Sequence, residues 1–256
     1  MPTMSMVILT KDLNKGIADI QYNVLNLPST VSFSDGSTIT YTYGADGTKL
    51  RTVHKIGSTT TTTDYCGNVI YENGTQKLLL TEEGYINLAG TQQYHYYLKD
   101  HQGNNRVVIN QSGTVEETNH YYPFGGVFGT TGNTQPYKYN GKEFDNKKGL
   151  NWYDYGARHY DTALGRFTTN DRFAEKYYSM SPYQYGANSP VVNIDVNGDS
   201  IRICTETQSF GHTWISVGEG SNMTVYSYGR YNGTNKGPDR SSNSLGNGSG
   251  VLLKLM

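Results

Sequence analysis

A chain of 256 residues can form one large all-β domain, or one domain with a small appendage. Its net charge of −1 provides no field to attract nucleic acid or an acidic membrane surface, and no stretch reaches the roughly 18 apolar residues of a membrane-spanning helix. Hydrophobic residues make up 35% of the chain, but 23 tyrosines can bury large ring surfaces and 30 glycines suit tight turns. This composition favours strands and turns over helices.

The N-terminal residues and the two cysteines carry no targeting or redox signal. Residues 1–16, MPTMSMVILTKDLNKG, lack the charged and then apolar pattern of a secretory signal peptide, and we interpret residues 1–19 as a lead-in. Cys66 and Cys204 lie far apart in the sequence, which fits neither a disulfide framework nor a metal site, so we interpret them as two unrelated thiols. We therefore expect no metal and no cofactor.

Residues 20–148 are predicted to form repeated β-hairpins. Glycines recur mostly ten to thirteen residues apart, which is the length of one strand and a turn, at positions 36, 47, 57, 67, 74, 84, 90, 103, 113 and 125. The tripeptides SDG (34–36), ADG (45–47) and ENG (72–74) place glycine where a hairpin turn needs a positive φ. In TITYTY (38–43), the apolar and aromatic residues alternate with threonines and should share one face of a strand.

The hairpin region also carries a loose tyrosine motif. YTYGADGTKL (41–50), YHYYLKDHQGNNRVV (94–108) and HYYPFGG (120–126) each put tyrosines ahead of a glycine-containing turn. These units resemble the tyrosine/aspartate (YD) repeats of rearrangement-hotspot (Rhs) proteins. Gly44 stands where that repeat usually has Asp.

Residues 149–199 make the resemblance specific. LNWYDYGARHYDTALGRFTTND (150–171), followed by SPYQYGANSPVVNIDVNGD (181–199), is similar to the Rhs-repeat-associated core domain. The resemblance covers residues 20–199. It implies an all-β fold in which hairpins wind in a spiral into a hollow shell, with residues 149–199 as a plug and boundary.

The hairpins of this chain are too few to close a complete shell, since the resemblance begins only at residue 20 and ends at Asp199. We therefore expect either a C-terminal part of a longer protein or closure by other repeats. The alternative is an open, tyrosine-faced sheet with exposed edges, which would favour association with other chains.

Arg158, Asp171 and Asp195 are the first candidate site. Two neighbouring carboxylates shift each other's pKa, so that one can hold a proton while the other activates water or a backbone carbonyl. A nearby arginine would keep one carboxylate ionised. The resemblance implies that these three residues carry out self-cleavage after Asp199 and release residues 200–256. Arg158 matches the family by its position ahead of Asp171, and the spacing between the two aspartates is near that of the family.

This site departs from the family pattern at the residues that follow the aspartates. Family members have Asp-Pro at both carboxylates, whereas this chain has Asp171-Arg172 and Asp195-Val196. Proline would fix φ and help to strain the backbone for attack. The alternative interpretation is that both aspartates are turn residues whose side chains bond to their own backbone.

Residues 200–256 differ in composition and are predicted to be a small β-rich segment, an incomplete toxin-like domain. IRICTE (201–206), HTWISV (212–217), MTVYSY (223–228) and GVLLKLM (250–256) are predicted strands, and GEGSN (218–222) is the predicted turn of a hairpin. A Gly-Asn-Ser-rich loop occupies residues 228–250.

His212 and Cys204 are the second candidate site. His212 follows Gly211 at the start of a strand, where an imidazole can serve as a general base of a hydrolase, and Cys204 is the nearest thiol. The stretch around His212 faintly resembles the histidine strand of circularly permuted papain-like amidases. The alternatives are a histidine that packs in a hairpin and a buried thiol in a strand.

The Rhs resemblance implies a polymorphic toxin or effector in interbacterial competition, whose β-shell carries a C-terminal cargo. The expected partners are a cognate immunity protein and a secretion apparatus, with no nucleic acid. We expect a cytoplasmic location before export, and then secretion or cell-surface display by a route that needs no signal peptide. A second hypothesis is a non-catalytic remnant cassette, or a cell-surface module for carbohydrate binding or structure.

Overall fold

The computed structural model describes residues 8–176 and 178–199, together with the backbone of strands at 202–206, 212–217, 224–229, 242–243 and 251–255. The chain divides into two compact units, Met1–Asn170 and Asp171–Met256. The division lies inside the core-like stretch 149–199. The predicted all-β fold is confirmed.

Consecutive strands of the first unit form a 12-stranded antiparallel sheet, in which each strand pairs with its neighbours along the chain. The strands are β1 (Ile17–Tyr22), β2 (Pro28–Phe33), β3 (Thr38–Tyr43), β4 (Lys49–Ile56), β5 (Thr59–Cys66), β6 (Val69–Glu72), β7 (Thr75–Leu80), β8 (Gly84–Asn87), β9 (Gln93–Lys99), β10 (Asn105–Asn110), β11 (Val115–Tyr121) and β12 (Val127–Thr131). The repeated hairpins predicted from glycine spacing are therefore present.

The turn residues take the backbone conformations predicted for them. Gly36 and Gly47 have φ angles of 84° and 87°. Asn73 and Gly74 both have positive φ, 50° and 79°, which is the pattern of a type I′ hairpin turn. These turns join strands that pair antiparallel, including β6 and β7 around Asn73.

The main core cluster combines the first three strands with a later part of the chain. In β3, Ile39 and Tyr41 are buried and Tyr43 packs against the same cluster, as the alternation of TITYTY predicts. The cluster consists of Ile17, Ile20, Val31, Phe33, Ile39, Tyr41, Leu150 and Trp152. Residues 149–199 thus contribute Leu150 and Trp152, which pack against the apolar face of the first hairpins.

A second, four-stranded sheet contains that later part of the chain. It consists of β13 (Glu143–Asp145), β14 (Trp152–Asp154), β15 (His159–Asp161) and β16 (Arg166–Phe167), all antiparallel. Short 3₁₀ turns at Tyr139–Gly141 and Lys147–Gly149 precede β13 and β14.

Buried tyrosines fix this second sheet to the last hairpin. The hydroxyls of Tyr139, Tyr160 and Tyr153 donate to the carbonyl oxygens of residues 123, 124 and 125, at 2.9, 2.9 and 3.2 Å. These three acceptors are consecutive in the turn between β11 and β12. Each ring is therefore buried while its hydroxyl keeps a hydrogen bond, which is the condition under which tyrosine is stable in a core.

The second unit contains a third sheet. Its strands are β17 (Asn193–Asp195), β18 (Arg202–Glu206), β19 (His212–Val217), β20 (Thr224–Gly229), β21 (Ser242–Asn243) and β22 (Val251–Leu255), in the order β17-β18-β19-β20-β22-β21. Two 3₁₀ turns, Ala174–Lys176 and Gly186–Asn188, precede them. The four strands predicted for residues 200–256 are present, and β19 pairs antiparallel with β20. The predicted turn at 218–222 lies outside the described residues.

Within the described residues, no helix has both the length and the apolar character that crossing a membrane would require.

Candidate functional site

Asp171 begins a tight turn at the start of the second unit. Its Oδ1 accepts the backbone N–H of Phe173 at 2.8 Å, and its own N–H donates to the carbonyl oxygen of Pro182 at 2.9 Å. The backbone N–H of Ala174 also donates to the carbonyl oxygen of Asp171 at 3.1 Å. The residue is 7% exposed, so its carboxylate is held in a defined orientation by its own turn.

Asp195 ends β17 and organises a second turn of the same kind. Its Oδ1 accepts the backbone N–H of Gly198 at 2.7 Å and that of Asn197 at 3.3 Å. Gly198 has a φ of 80°, a conformation that favours glycine. The Asn197 side chain in turn accepts the N–H of Asp199 at 3.1 Å. This turn therefore fixes the backbone from Asp195 to Asp199.

An ion pair between Arg172 and Asp199 connects the two turns. One guanidinium nitrogen of Arg172 contacts Asp199 Oδ2. The Asp199 side chain is 9% exposed and that of Arg172 is 67% exposed. Because Arg172 follows Asp171 directly, the contact ties the residue at the expected cleavage position to the turn of the first aspartate.

Arg158 lies in the first unit, whereas Asp171 and Asp195 lie in the second. Arg158 is 3% exposed, and its guanidinium carbon lies 3.8 Å from the centre of the Phe167 ring. This stacking is a cation–π contact inside the first unit. The joint role of Arg158, Asp171 and Asp195 in self-cleavage stays a prediction.

The second candidate site is described only by its backbone. Cys204 lies in β18, opposite Trp214 of β19, and His212 begins β19 opposite Glu206. The side chains of Cys204 and His212 lie outside the described residues, so their chemistry stays a prediction. Cys66 is an exposed free thiol in the first unit.

The first unit contains a partly buried charged cluster that the sequence did not predict. Lys49 Nζ lies 2.6 Å from Asp154 Oδ2 and 2.7 Å from Glu143 Oε2. Tyr65 donates its hydroxyl to the other Glu143 oxygen at 2.7 Å, and Lys49 Nζ lies 4.6 Å from the centre of the Tyr65 ring. The Tyr43 hydroxyl lies 3.1 Å from Nε2 of the buried His159. The cluster therefore joins β3, β4 and β5 to β13, β14 and β15.

The protonation of this cluster follows from burial and from its ion pairs. Burial alone would raise the pKa of Asp154, but Lys49 and the N–H of Gly156 outweigh it and hold that pKa well below its ordinary value. Burial opposes the charge of Lys49, yet Asp154 and Glu143 raise its pKa well above the usual range. Burial lowers the pKa of His159, so this imidazole is neutral at pH 7.

A cavity of about 190 Å³ borders the charged cluster, with Lys49, His54 and Asp145 among its lining residues. His54 Nε2 lies 2.9 Å from Asp145 Oδ2. Because the charges of this region already pair with one another, the arrangement supports a role in holding the two sheets together. Among the described residues, no group of three or more His, Cys, Asp or Glu side chains has the arrangement of a metal site.

The fold defines an all-β protein built of consecutive hairpins, and its second unit carries the two aspartate turns. No protein-family model matches the chain. Salivary gland surface protein 1 of Aedes aegypti is 34% identical to it over 216 residues, a match that covers 73% of this chain and 6% of that protein. The chain therefore spans only a small part of the length of this relative.

Solved structures with the same fold come from TcdB2-TccC3 proteins. Chains in the crystal structures of TcdB2-TccC3-TEV and TcdB2-TccC3-Cdc42 match with TM-scores of 0.62 and 0.61 at 20% identity, covering 72% of this chain and 10% of those chains. TcdB2-TccC3 without hypervariable C-terminal region matches with a TM-score of 0.60 at 19% identity. At this identity the similarity establishes the fold, and it agrees with the predicted β-shell architecture.

Arg172 is the residue of this site whose contact the sequence did not reveal. Its position after Asp171 was notable only because the Rhs core domain, which this stretch resembles, has proline there. The arginine at this position is the signal that the sequence offered. It puts a cation directly after the predicted carboxylate of Asp171, and a further aspartate, Asp199, follows later in the chain.

Proposed function

We propose that the chain is the shell-and-boundary part of an Rhs-type toxin or effector, in which β-hairpins carry the C-terminal residues 200–256 as cargo. The observation that carries the proposal is the pair of aspartate turns bridged by Arg172 and Asp199, at the end of the core-like stretch. The TcdB2-TccC3 fold supports it, since one of those structures is described as lacking a hypervariable C-terminal region.

The proposed chemistry is hydrolysis of the peptide bond between Asp199 and Ser200. One carboxylate of the Asp171–Asp195 pair removes a proton from water while the other, protonated, donates a hydrogen bond to the carbonyl oxygen of Asp199. The water oxygen bonds to the carbonyl carbon, the bond from that carbon to the Ser200 nitrogen breaks, and the nitrogen leaves as the amine with the proton that the base carboxylate took from water. Arg158 would keep one carboxylate ionised before attack.

The test is the mass of the purified chain. We expect the wild type to yield a fragment that ends at Asp199, and we expect Asp171→Asn and Asp195→Asn to lower its rate of formation by at least about 100-fold, because each removes an acid or base. Asp46→Asn is the matched control, since Asp46 also bonds the backbone of its own turn. A wild type that remains full-length after purification would contradict self-cleavage.

The cargo, its partners and its location are further parts of the proposal. Residues 200–256 would act after release, a cognate immunity protein would bind them in the producing cell, and a secretion apparatus would export the chain from the cytoplasm. Expression of the full chain should slow bacterial growth, and His212→Ala or Cys204→Ala should relieve the effect if either residue is catalytic. Equal growth with the full chain and with one ending at Asp199 would argue against a toxic cargo.

A cell-surface module is the second candidate function. Two observations favour it: the relative from Aedes aegypti is named as a surface protein, and β9 exposes Tyr94, Tyr96 and Leu98, which are 50%, 42% and 52% exposed. Tyrosine rings on a sheet face can stack against sugar rings. Retention of the intact chain on a polysaccharide column, lost in a Tyr94→Ala/Tyr96→Ala variant, would support this candidate.

A further inference from the structure

The turns of Asp171 and Asp195 are connected through a series of contacts. Asp195 Oδ1 fixes the backbone of Gly198, Asn197 Oδ1 fixes the backbone of Asp199, and Asp199 Oδ2 binds Arg172. Arg172 is covalently adjacent to Asp171, whose carboxylate fixes the next turn. The two carboxylates predicted to cut the chain are thus linked through the residue at the expected cut.

We propose that Arg172 is a positioning residue that holds Asp199, the residue at the expected cleavage position, beside the Asp171 turn. This inference rests on the proposed self-cleavage. Family members have proline after each aspartate, and the ring of proline restricts the backbone. This chain lacks both prolines, and the ion pair restrains the same segment through a side chain instead. A positioned peptide bond matters because a displacement of about 1 Å can slow a reaction about 100-fold.

The two side chains of the ion pair differ in their exposure to solvent. Asp199 is nearly buried, so its carboxylate needs a partner, whereas most of the Arg172 side chain is in water. Solvent screening limits the strength of a pair with one exposed partner. We therefore expect loss of Arg172 to weaken the junction without unfolding the unit.

The first measurement is hydrogen exchange of the peptide that covers residues 193–199, made in an Asp171→Asn background so that every sample is intact. We expect Arg172→Gln to speed exchange about fivefold, which corresponds to about 1 kcal/mol. Arg172→Lys should change it less than about twofold, because the charge is retained. Arg51→Gln is the matched control, since it breaks an arginine–aspartate pair in the first unit. Equal exchange in Arg172→Gln and its parent would overturn the inference.

The second measurement is the rate of fragment release, with the aspartates intact. We expect Arg172→Gln to slow release about fivefold or more, and Arg172→Lys to restore most of the rate. A double-mutant cycle with Asp199→Asn should show that the two substitutions together slow release no more than either alone. Release at the wild-type rate in Arg172→Gln would overturn the positioning role. If the wild type never cleaves, the proposed self-cleavage is wrong. The hydrogen-exchange rates of Arg172→Gln and its parent then show whether the ion pair restrains the backbone around Asp199.

Discussion

Lys49→Met should lower the free energy of unfolding of the first unit by about 3–5 kcal/mol, because it leaves Asp154 and Glu143 without the cation between them. The two carboxylates lie 2.6 and 2.7 Å from Lys49 Nζ, and the three side chains are only 12–20% exposed. Water therefore replaces the lost cation poorly. With a typical urea slope of about 2 kcal/mol per molar, the midpoint of unfolding should fall by about 2 M.

The assay is urea unfolding followed by tryptophan fluorescence. Trp152 is buried in the first unit, and replacing Trp214 by Phe in every sample leaves Trp152 as the sole tryptophan. Lys77→Met is the control, because Lys77 pairs with Glu72 on the surface and should lose at most about 0.5 kcal/mol. The reasoning is refuted if the Lys49 and Lys77 variants unfold at the same urea concentration.

Two further predictions concern the first unit. Burial lowers the pKa of His159 below its ordinary 6.5, so the unfolded chain binds more protons than the folded chain as the pH falls. The free energy of unfolding should therefore decrease below about pH 6.5. The decrease from pH 7.5 to 5.5 should be smaller in His159→Gln, and an equal decrease in the two proteins would contradict this prediction. Gly84→Ala should destabilise the first unit by about 1–3 kcal/mol, because a Cβ at residue 84 would lie 2.0 Å from the carbonyl oxygen of His95. Gly126→Ala is the control and should have little effect in the same urea assay, because its Cβ would lie 3.5 Å from the Tyr122 side chain.

Local patterns of the sequence predicted the hairpins because their causes are local. The alternation in TITYTY sets one face of β3, and the Asn73-Gly74 pair sets the turn between β6 and β7. Neither feature depends on distant residues. The strands of residues 200–256 were predictable for the same reason.

Contacts between distant residues were not predictable in this way. Lys49 pairs with Glu143 and Asp154, which lie far later in the chain, and nothing near Lys49 in the sequence marks it as their partner. The contact of Arg172 with Asp199 is also set by the path of the chain between them. The sequence showed the aspartates as a motif, but only the fold shows that Arg172 and Asp199 bridge their turns.

The order of the strands has a consequence for synthesis on the ribosome. Each strand of the large sheet pairs with the one made just before it, so hairpins can form as the chain emerges. The core cluster around Ile39 and Tyr41, however, is completed by Trp152, which is made much later. Translation adds about 5–20 residues per second, so the apolar face of the first hairpins stays exposed for about 5–20 s before Trp152 is synthesised. The nascent chain therefore spends that interval as a sheet with one uncovered face, and this is when we expect chaperones to bind it.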